Sequence, residues 1–304
     1  MFFQTIHLPL EFAMILCPSC GAGNIDRTTG CANCGFKPER LDGFLAWAPE
    51  LAKSNDGFLP ESFEGLAQAE AGHFWFRTRN ALILWSLRKY FPGFKSLLEV
   101  GCGTGFVLTG IANAFPAVRV AGSEIYTAGL AFAARRLPSA ELIQMDARKL
   151  PYAEEFDVVA AFDVIEHIAE DELVLNNLFR AVKPGGGCLI TVPQHQWLWS
   201  PVDEEACHQR RYSARELHAK IEAAGFKIVR STSFVTFLLP LMLASRLAAR
   251  RSGTSGGSEA LKLNPLLDGV LANVMRFEHL LLKLGLSLPI GGSRLVVAQR
   301  EYPA

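Results

Sequence analysis

The sequence predicts an α/β protein: a doubly wound parallel sheet covered on both faces, preceded by a small cysteine module and interrupted near its end by a helical insertion. Three observations predict it. Short apolar runs alternate with helix-like segments between residues 96 and 192. A glycine-rich turn stands directly after the first of those runs. Two C-x-x-C pairs lie close together near the start of the chain. The 304 residues suffice for one large domain and an accessory, and a chain of that size buries about three quarters of its unfolded surface. Half of the residues are hydrophobic, which excludes general disorder. Thirty Lys and Arg balance thirty Asp and Glu, which argues against a polyanion binder that relies on bulk positive charge. A mean hydropathy of +0.19 leaves an apolar excess to be located along the chain.

Taken from the N-terminus, Met1–Leu16 reads as a leader. It lacks a basic start and is interrupted by Pro9 and Glu11, so a signal peptide is not expected; Met14 is an alternative start. Residues 17–40 read as a zinc ribbon. Cys17, Cys20, Cys31 and Cys34 are its expected metal ligands, because two-residue spacing lets both thiolates of a turn reach one tetrahedral ion. Gly21 and Gly35 follow each pair and permit the tight knuckle. Two disulfides or a redox pair are the alternatives, and the absence of a βαβ pattern around residues 17–34 disfavours the redox case. Metal-bound thiolates imply a reducing compartment, hence the cytoplasm.

Residues 41–69 read as a linker. In the main domain, 70–233, a helix is expected over Asn80–Tyr90, then strands at Ser96–Val100, Arg119–Ser123, Glu141–Gln144, Phe156–Phe162 and Gly187–Val192. Helices are expected at Phe106–Phe115, Thr127–Leu137 and Asp171–Val182. Ser213 and Glu216 form a capping box that opens a helix ending near Gly225, and Lys227–Thr232 resumes strand character. Residues 234–292 read as the helical insertion, with a strongly apolar stretch at Phe234–Ala249 and a helix at Pro265–Leu284. Within 293–304, Arg294–Gln299 is the last strand.

The run Leu97-Leu-Glu-Val-Gly-Cys-Gly-Thr-Gly105 joins a buried strand to a helix start, where glycine lets backbone approach a ligand closely. The dinucleotide fingerprint would need glycine where Phe106 stands, and Glu99 suits a cationic ligand better than a pyrophosphate. With Glu99-x-Gly101-x-Gly103-x-Gly105 the chain resembles the class I S-adenosylmethionine-dependent methyltransferases. The likeness continues in order through Glu124 and Ile125, Asp146 and Ala147, the run Phe156–His167 with Asp163, and Leu178–Gly186.

That resemblance implies a Rossmann-like seven-stranded sheet in the order 3-2-1-4-5-7-6, with an antiparallel last strand. It also implies S-adenosyl-L-methionine as cofactor, held by Glu99, Gly101, Cys102, Gly103, Gly105, Glu124, Ile125, Asp146, Ala147 and Asp163. Glu124 would hold the ribose hydroxyls and Asp146 the adenine amino group; Arg79 or Arg77 would pair with the methionine carboxylate, or else the run His73–Arg79 is an aromatic seam that docks a lid helix, its arginines exposed.

A base for an oxygen or nitrogen acceptor points to His195 or His167, with His208 further along. The loop carrying Trp197, Trp199, His208, Arg210, Arg211 and Tyr212 is an expected substrate wall. The expected acceptor is a small molecule or a lipid-linked one. The alternatives are an RNA base read by the zinc ribbon, which the charge balance disfavours, and a cofactor-fold docking module without turnover. Residues 234–292 read either as a lid and homodimer surface or as a peripheral contact with the inner face of the membrane, Arg246, Arg250 and Arg251 facing the headgroups.

Overall fold

A computed structural model describes residues 14–23, 25–52, 62–253 and 263–303. The leader up to residue 13 and part of the linker lie outside these residues. The first strands are β1 (Met14–Ile15), β2 (Glu39–Leu41) and β3 (Phe44–Ala46). Helix α1 (Ser62–Ala69) and the longer α2 (Phe74–Tyr90) follow. His73 caps α2, its Nδ1 accepting from the Trp75 N–H at 3.3 Å, and Arg88 and Lys89 in the last turn complement the helix dipole.

The alternating region then folds as expected, with boundaries shifted by a few residues. Strand β4 (Ser96–Val100) leads to α3 (Phe106–Ala114), β5 (Arg119–Glu124), α4 (Thr127–Arg136) and β6 (Glu141–Gln144). After the two-residue β7 (Tyr152–Ala153) come β8 (Phe156–Phe162), α5 (Asp171–Ala181) and β9 (Val182–Pro193). Strand β9 begins earlier than expected because Val182 already pairs with Phe156. The short α6 (Pro201–Glu205), α7 (Ala214–Ala223) and β10 (Lys227–Phe234) follow. The insertion forms α8 (Leu239–Ser252) and α9 (Pro265–Lys283), and β11 (Ser293–Gln299) closes the sheet.

One sheet runs β10-β11-β9-β8-β4-β5-β6-β3-β2. The seven strands from β10 to β6 keep the expected 3-2-1-4-5-7-6 order, with β11 antiparallel between β9 and β10. Two strands more than expected extend it beyond β6, because residues 39–46 form a hairpin whose β3 lies parallel to β6. Asp42 and Gly43 both take positive φ at its tip, the turn chemistry that favours a two-residue hairpin.

The sheet is covered on both faces. Leu98, Val159 and Ile190 point into one core with α5, α7 and the ribbon residues Ile15, Ile25 and Cys31. Their neighbours Leu97, Val158 and Leu189 point into the other, with α2, α3 and the α9 residues Leu271, Met275 and Leu282. This alternation is the period of two of a buried strand. Strand β4 pairs with β5 on one side and β8 on the other, so the chain reverses its direction of travel there. The crevice for a ligand opens at the carboxyl ends of those strands.

Candidate active site

The glycine turn leaves β4 at the centre of that crevice. Gly101 has φ +69°, and a Cβ there would lie 2.5 Å from Val164 Cγ2; at Gly105, φ +74°, it would lie 2.8 Å from Ala133 Cβ. Both positions require glycine for the backbone angle and for the packing. Gly103 also has positive φ, +51°, but a Cβ there would meet only Phe63, at 3.8 Å, so the backbone angle and not the packing favours glycine. Cys102 is buried and donates its N–H to the Ser123 carbonyl at 2.8 Å. Burial pushes its thiol well above the usual range, which makes it a neutral wall residue.

Glu124 ends β5 and binds the turn directly. One oxygen accepts the Gly103 N–H at 3.0 Å, and the other accepts Ile125 N–H at 2.8 Å and Tyr126 N–H at 3.3 Å. Burial raises its pKa, partly offset by these backbone donors. Glu99 is only 3% exposed, and its Oε2 has no partner. Burial pushes its carboxyl up to about 8, with the Arg79 charge pulling the other way. Asp146 caps the turn Ala147–Lys149, accepting the Arg148 N–H at 2.9 Å and the Arg148 side chain at 3.0 Å. Ala147 is buried beside it.

The N-terminal segment covers this half of the crevice. Phe63 of α1 packs over Gly103 and Gly129. Glu70 accepts the Thr104 hydroxyl at 2.6 Å and Arg136 at 2.7 Å, clamping the helix pair to the glycine turn. Gln144, fully buried, bonds both backbone groups of Ala48 and the Ile125 carbonyl at 2.9 Å. The hairpin is thereby stitched to the segment after Glu124. Glu70 and Gln144 were not foreseen: neither lies in a motif, and both act through partners far away in sequence.

The other half follows β8 and β9. Arg79 forms an ion pair with Asp163, whose other oxygen accepts the Thr191 hydroxyl at 3.2 Å. Two expected ligand residues are thus each other's partners here. Arg77 is committed to Asp268 of α9 at 2.6 Å and docks that helix. His195 stacks on Trp197 at 5.1 Å, and its Nε2 is buried without a partner. Burial, then the charges of Arg294 and Arg211, lowers its pKa. Asp163 and His195 both sit at positive φ, 56° and 67°, conformations that cost energy in non-glycine residues and gather at functional sites.

His167 lies in a different environment, with its ring 4.8 Å from that of His208. Burial, then His208, pushes it down to about 4. The expected substrate wall is only partly one. Tyr212 is fully buried and donates to Asp171 at 2.6 Å, Arg210 pairs with Asp171 at 2.7 Å, and Arg211 reaches Asp203 at 2.6 Å. These three hold the loop together, while Trp197 remains 46% exposed. Arg246 bonds Ser200 at 2.9 Å and Arg250 the Trp199 carbonyl at 2.7 Å, tying α8 to the same loop.

The four ribbon cysteines converge as expected. Cys17 and Cys34 Sγ are 3.5 Å apart, and Cys20 and Cys31 Sγ 3.6 Å. All four atoms lie within 4.8 Å of one another. These separations are far beyond a disulfide and close to the roughly 3.8 Å edge of a tetrahedron with metal–sulfur bonds of about 2.3 Å.

Fold and glycine turn together share the layout of the class I S-adenosylmethionine-dependent methyltransferases. Comparison with known proteins points the same way: residues 98–190 match the family described as "Methyltransferase domain". A probable S-adenosylmethionine-dependent methyltransferase of Mycolicibacterium smegmatis is 32% identical over 168 residues, 54% of this chain and 62% of that protein. Trans-aconitate 2-methyltransferase of Variovorax paradoxus is 32% identical over 121 residues, 40% of this chain and 46% of that protein. The chain therefore spans between about half and three fifths of these relatives. Among solved structures, Haemonchus contortus phosphoethanolamine N-methyltransferase 2 with S-adenosyl-L-methionine superposes with a TM-score of 0.54 at 18% identity. It covers 80% of this chain and 57% of that one, a likeness of fold.

Proposed function

We propose that the protein transfers a methyl group from S-adenosylmethionine to a small-molecule or lipid-linked acceptor. The observation that carries this reading is a glycine turn gripped at Gly103 by Glu124, with Glu99 buried on the strand that leads into it. One carboxylate has a free buried oxygen suited to a cationic amino group; the other is locked by three backbone N–H groups, with lone pairs left for the ribose. When bound, the cofactor supplies an electrophilic sulfonium methyl. The chain's own work is to hold the acceptor in line with it and to take a proton, since positioning alone removes much of the barrier.

His195 suits the second task better than His167. Its lowered pKa keeps the ring unprotonated near neutral pH, and its Nε2 is free to accept. Arg79 and Asp163 form the wall between the two half-sites. In the ribbon we infer zinc, which four clustered thiolates favour. The ribbon's basic residues Arg27, Lys37 and Arg40 share a groove with Glu39 and Glu141, and Arg27 is paired with Glu141, which disfavours an RNA reader.

Isothermal titration tests the reading. Wild-type protein is expected to bind S-adenosylmethionine, and Glu124→Ala to weaken binding at least about 10-fold, the loss of a charge-assisted hydrogen bond. No heat of binding with the wild-type protein would sink it.

A further inference from the structure

A second cluster of ligating side chains lies where β8 ends. Glu166, His167 and His208 each offer one ligand atom, and the three atoms lie within 4.8 Å of one another. Glu166 and His167 stand on the single turn Ile165–His167 after β8, while His208 follows α6. The Gln209 N–H donates to the Glu166 carbonyl at 2.7 Å, so the backbone itself holds the two segments together.

Glu166 is the informative member. It is fully buried, and neither carboxylate oxygen has a hydrogen-bond partner. An unpaired buried carboxylate costs several kcal/mol. Protonation removes the charge, and burial drives its pKa well upward, followed by the charge of Asp163. A protonated carboxyl would still need an acceptor for its O–H, and no hydrogen-bond partner is present for either oxygen. A cation satisfies both oxygens at once.

His208 carries the second sign. Its Nδ1 is held at 2.9 Å by Asp203, which leaves Nε2 for a ligand. Asp203 is fully buried and anchored by Arg211 at 2.6 Å and by the Ser200 N–H at 2.9 Å. Burial raises its pKa, but the His208 bond and the Arg211 charge outweigh that and hold it at about 2, a fixed carboxylate. Carboxylate–imidazole pairs of this kind orient metal ligands. Asp163 stays outside the cluster because Arg79 occupies it.

We propose that Glu166, His167 and His208 bind a divalent transition-metal ion. Two imidazoles and one carboxylate suit zinc, iron or manganese, and leave coordination positions open. Metal–ligand bonds of about 2.0–2.2 Å at tetrahedral angles put ligand atoms about 3.3–3.6 Å apart, so side chains whose ligand atoms lie within 4.8 Å of one another close in on the ion by rotamer adjustment. The proposal is independent of methyl transfer: it concerns an ion, and its test reads the ion.

The test is metal content and melting of the full chain. Wild-type protein, Glu166→Gln and His208→Ala are equilibrated with Zn2+, freed of excess and analysed for bound metal. Wild type is expected to hold one ion more per chain than either variant, the ribbon being common to all three. Zn2+ should raise the melting temperature of wild type beyond its effect on Glu166→Gln, and the Gln variant without added metal should melt no lower than wild type, since it removes only an unpaired charge. Asp203→Asn should weaken the site by about 10–100-fold, the effect of losing an outer partner. Equal metal content in wild type and Glu166→Gln, or retention of the extra ion by His208→Ala, overturns the proposal.

Discussion

The two halves of the crevice are built on different plans. Around β4, β5 and β6 most polar groups that meet the glycine turn are spoken for: Glu124 by three N–H groups, Gln144 by Ala48 and Ile125, Glu70 by Thr104 and Arg136. Glu99 is the exception, with one orphan oxygen. Beyond β8 and β9 the orphans gather: both oxygens of Glu166, Nε2 of His195 and Nε of Arg79. Buried polar atoms without partners are few in folded proteins. Trp47 Nε1 and Asn80 Oδ1 are orphans elsewhere, so the contrast is one of degree: the side chains named around the glycine turn are mostly paired, and Glu166 is the one carboxylate named with neither oxygen paired.

The comparison breaks most sharply at His195. If it takes the acceptor's proton, His195→Gln should slow methyl transfer by about 10²–10⁴-fold. Cofactor affinity should stay within about threefold, because the ring lies on the other half. A screen of small acids, sugars and lipid acceptors supplies the rate, and titration supplies the affinity. A parallel loss of cofactor binding would mean that the two halves are not separate.

Glu99 sharpens the same comparison through pH. Its folded pKa of about 8 lies above the ordinary 4.5, so the folded protein binds a proton that the unfolded chain releases. Stability is therefore lost, relative to Glu99→Gln, as pH rises from about 4.5 to 8, at up to about 1.4 kcal/mol per unit. A cationic ligand reverses the preference, because it favours the ionised carboxyl. Wild-type affinity for S-adenosylmethionine should then rise with pH, by at most about tenfold per unit, below about pH 7.7, and fall above about pH 8 as the ligand's amino group loses its own proton. Glu99→Gln should bind weakly with a flat profile. Melting and titration at pH 6 and pH 8 check both signs.

What was legible in the sequence follows the same division. The cofactor half is local: strand, turn and helix are contiguous, and Glu99, Gly101, Gly103 and Gly105 stand within seven residues. Motif spacing also foretold the convergence of Cys17, Cys20, Cys31 and Cys34. The half beyond β8 and β9 depends on long-range partners that spacing does not encode. Asp203 serves His208, Arg211 and Arg246, and Tyr212 turns inward to Asp171, so a loop that reads as aromatic and basic is largely internal scaffolding. The hairpin at 39–46 had a local signal in Asp42-Gly43, but its parallel pairing with β6 is a tertiary contact. The insertion's helix was visible from its period. Its buried Glu278 was not: the carboxylate accepts the N–H groups of Val235, Thr236 and Phe237 ahead of α8, an anchor that apolar periodicity hides.

The smallest expected effect on stability concerns the outer face of that insertion. Leu266, Val270, Phe277 and Leu284 are 79%, 52%, 55% and 70% exposed on α9, along one side of the helix. No described helix is long and apolar enough to cross a membrane. Such a stripe suits either a vesicle surface or a second copy of the chain. Leu266→Glu with Phe277→Glu should change stability by less than about 0.5 kcal/mol per site, because neither side chain is buried. If the stripe meets lipid, wild type co-sediments with vesicles, the double variant stays in the supernatant, and both are monomers by light scattering. If it joins two copies, the variant alone is monomeric and vesicles capture neither. The lipid outcome would place the half of the crevice beyond β8 and β9 beside a membrane, because Arg246 and Arg250 of α8 tie the insertion to the loop that carries Trp197 and Trp199.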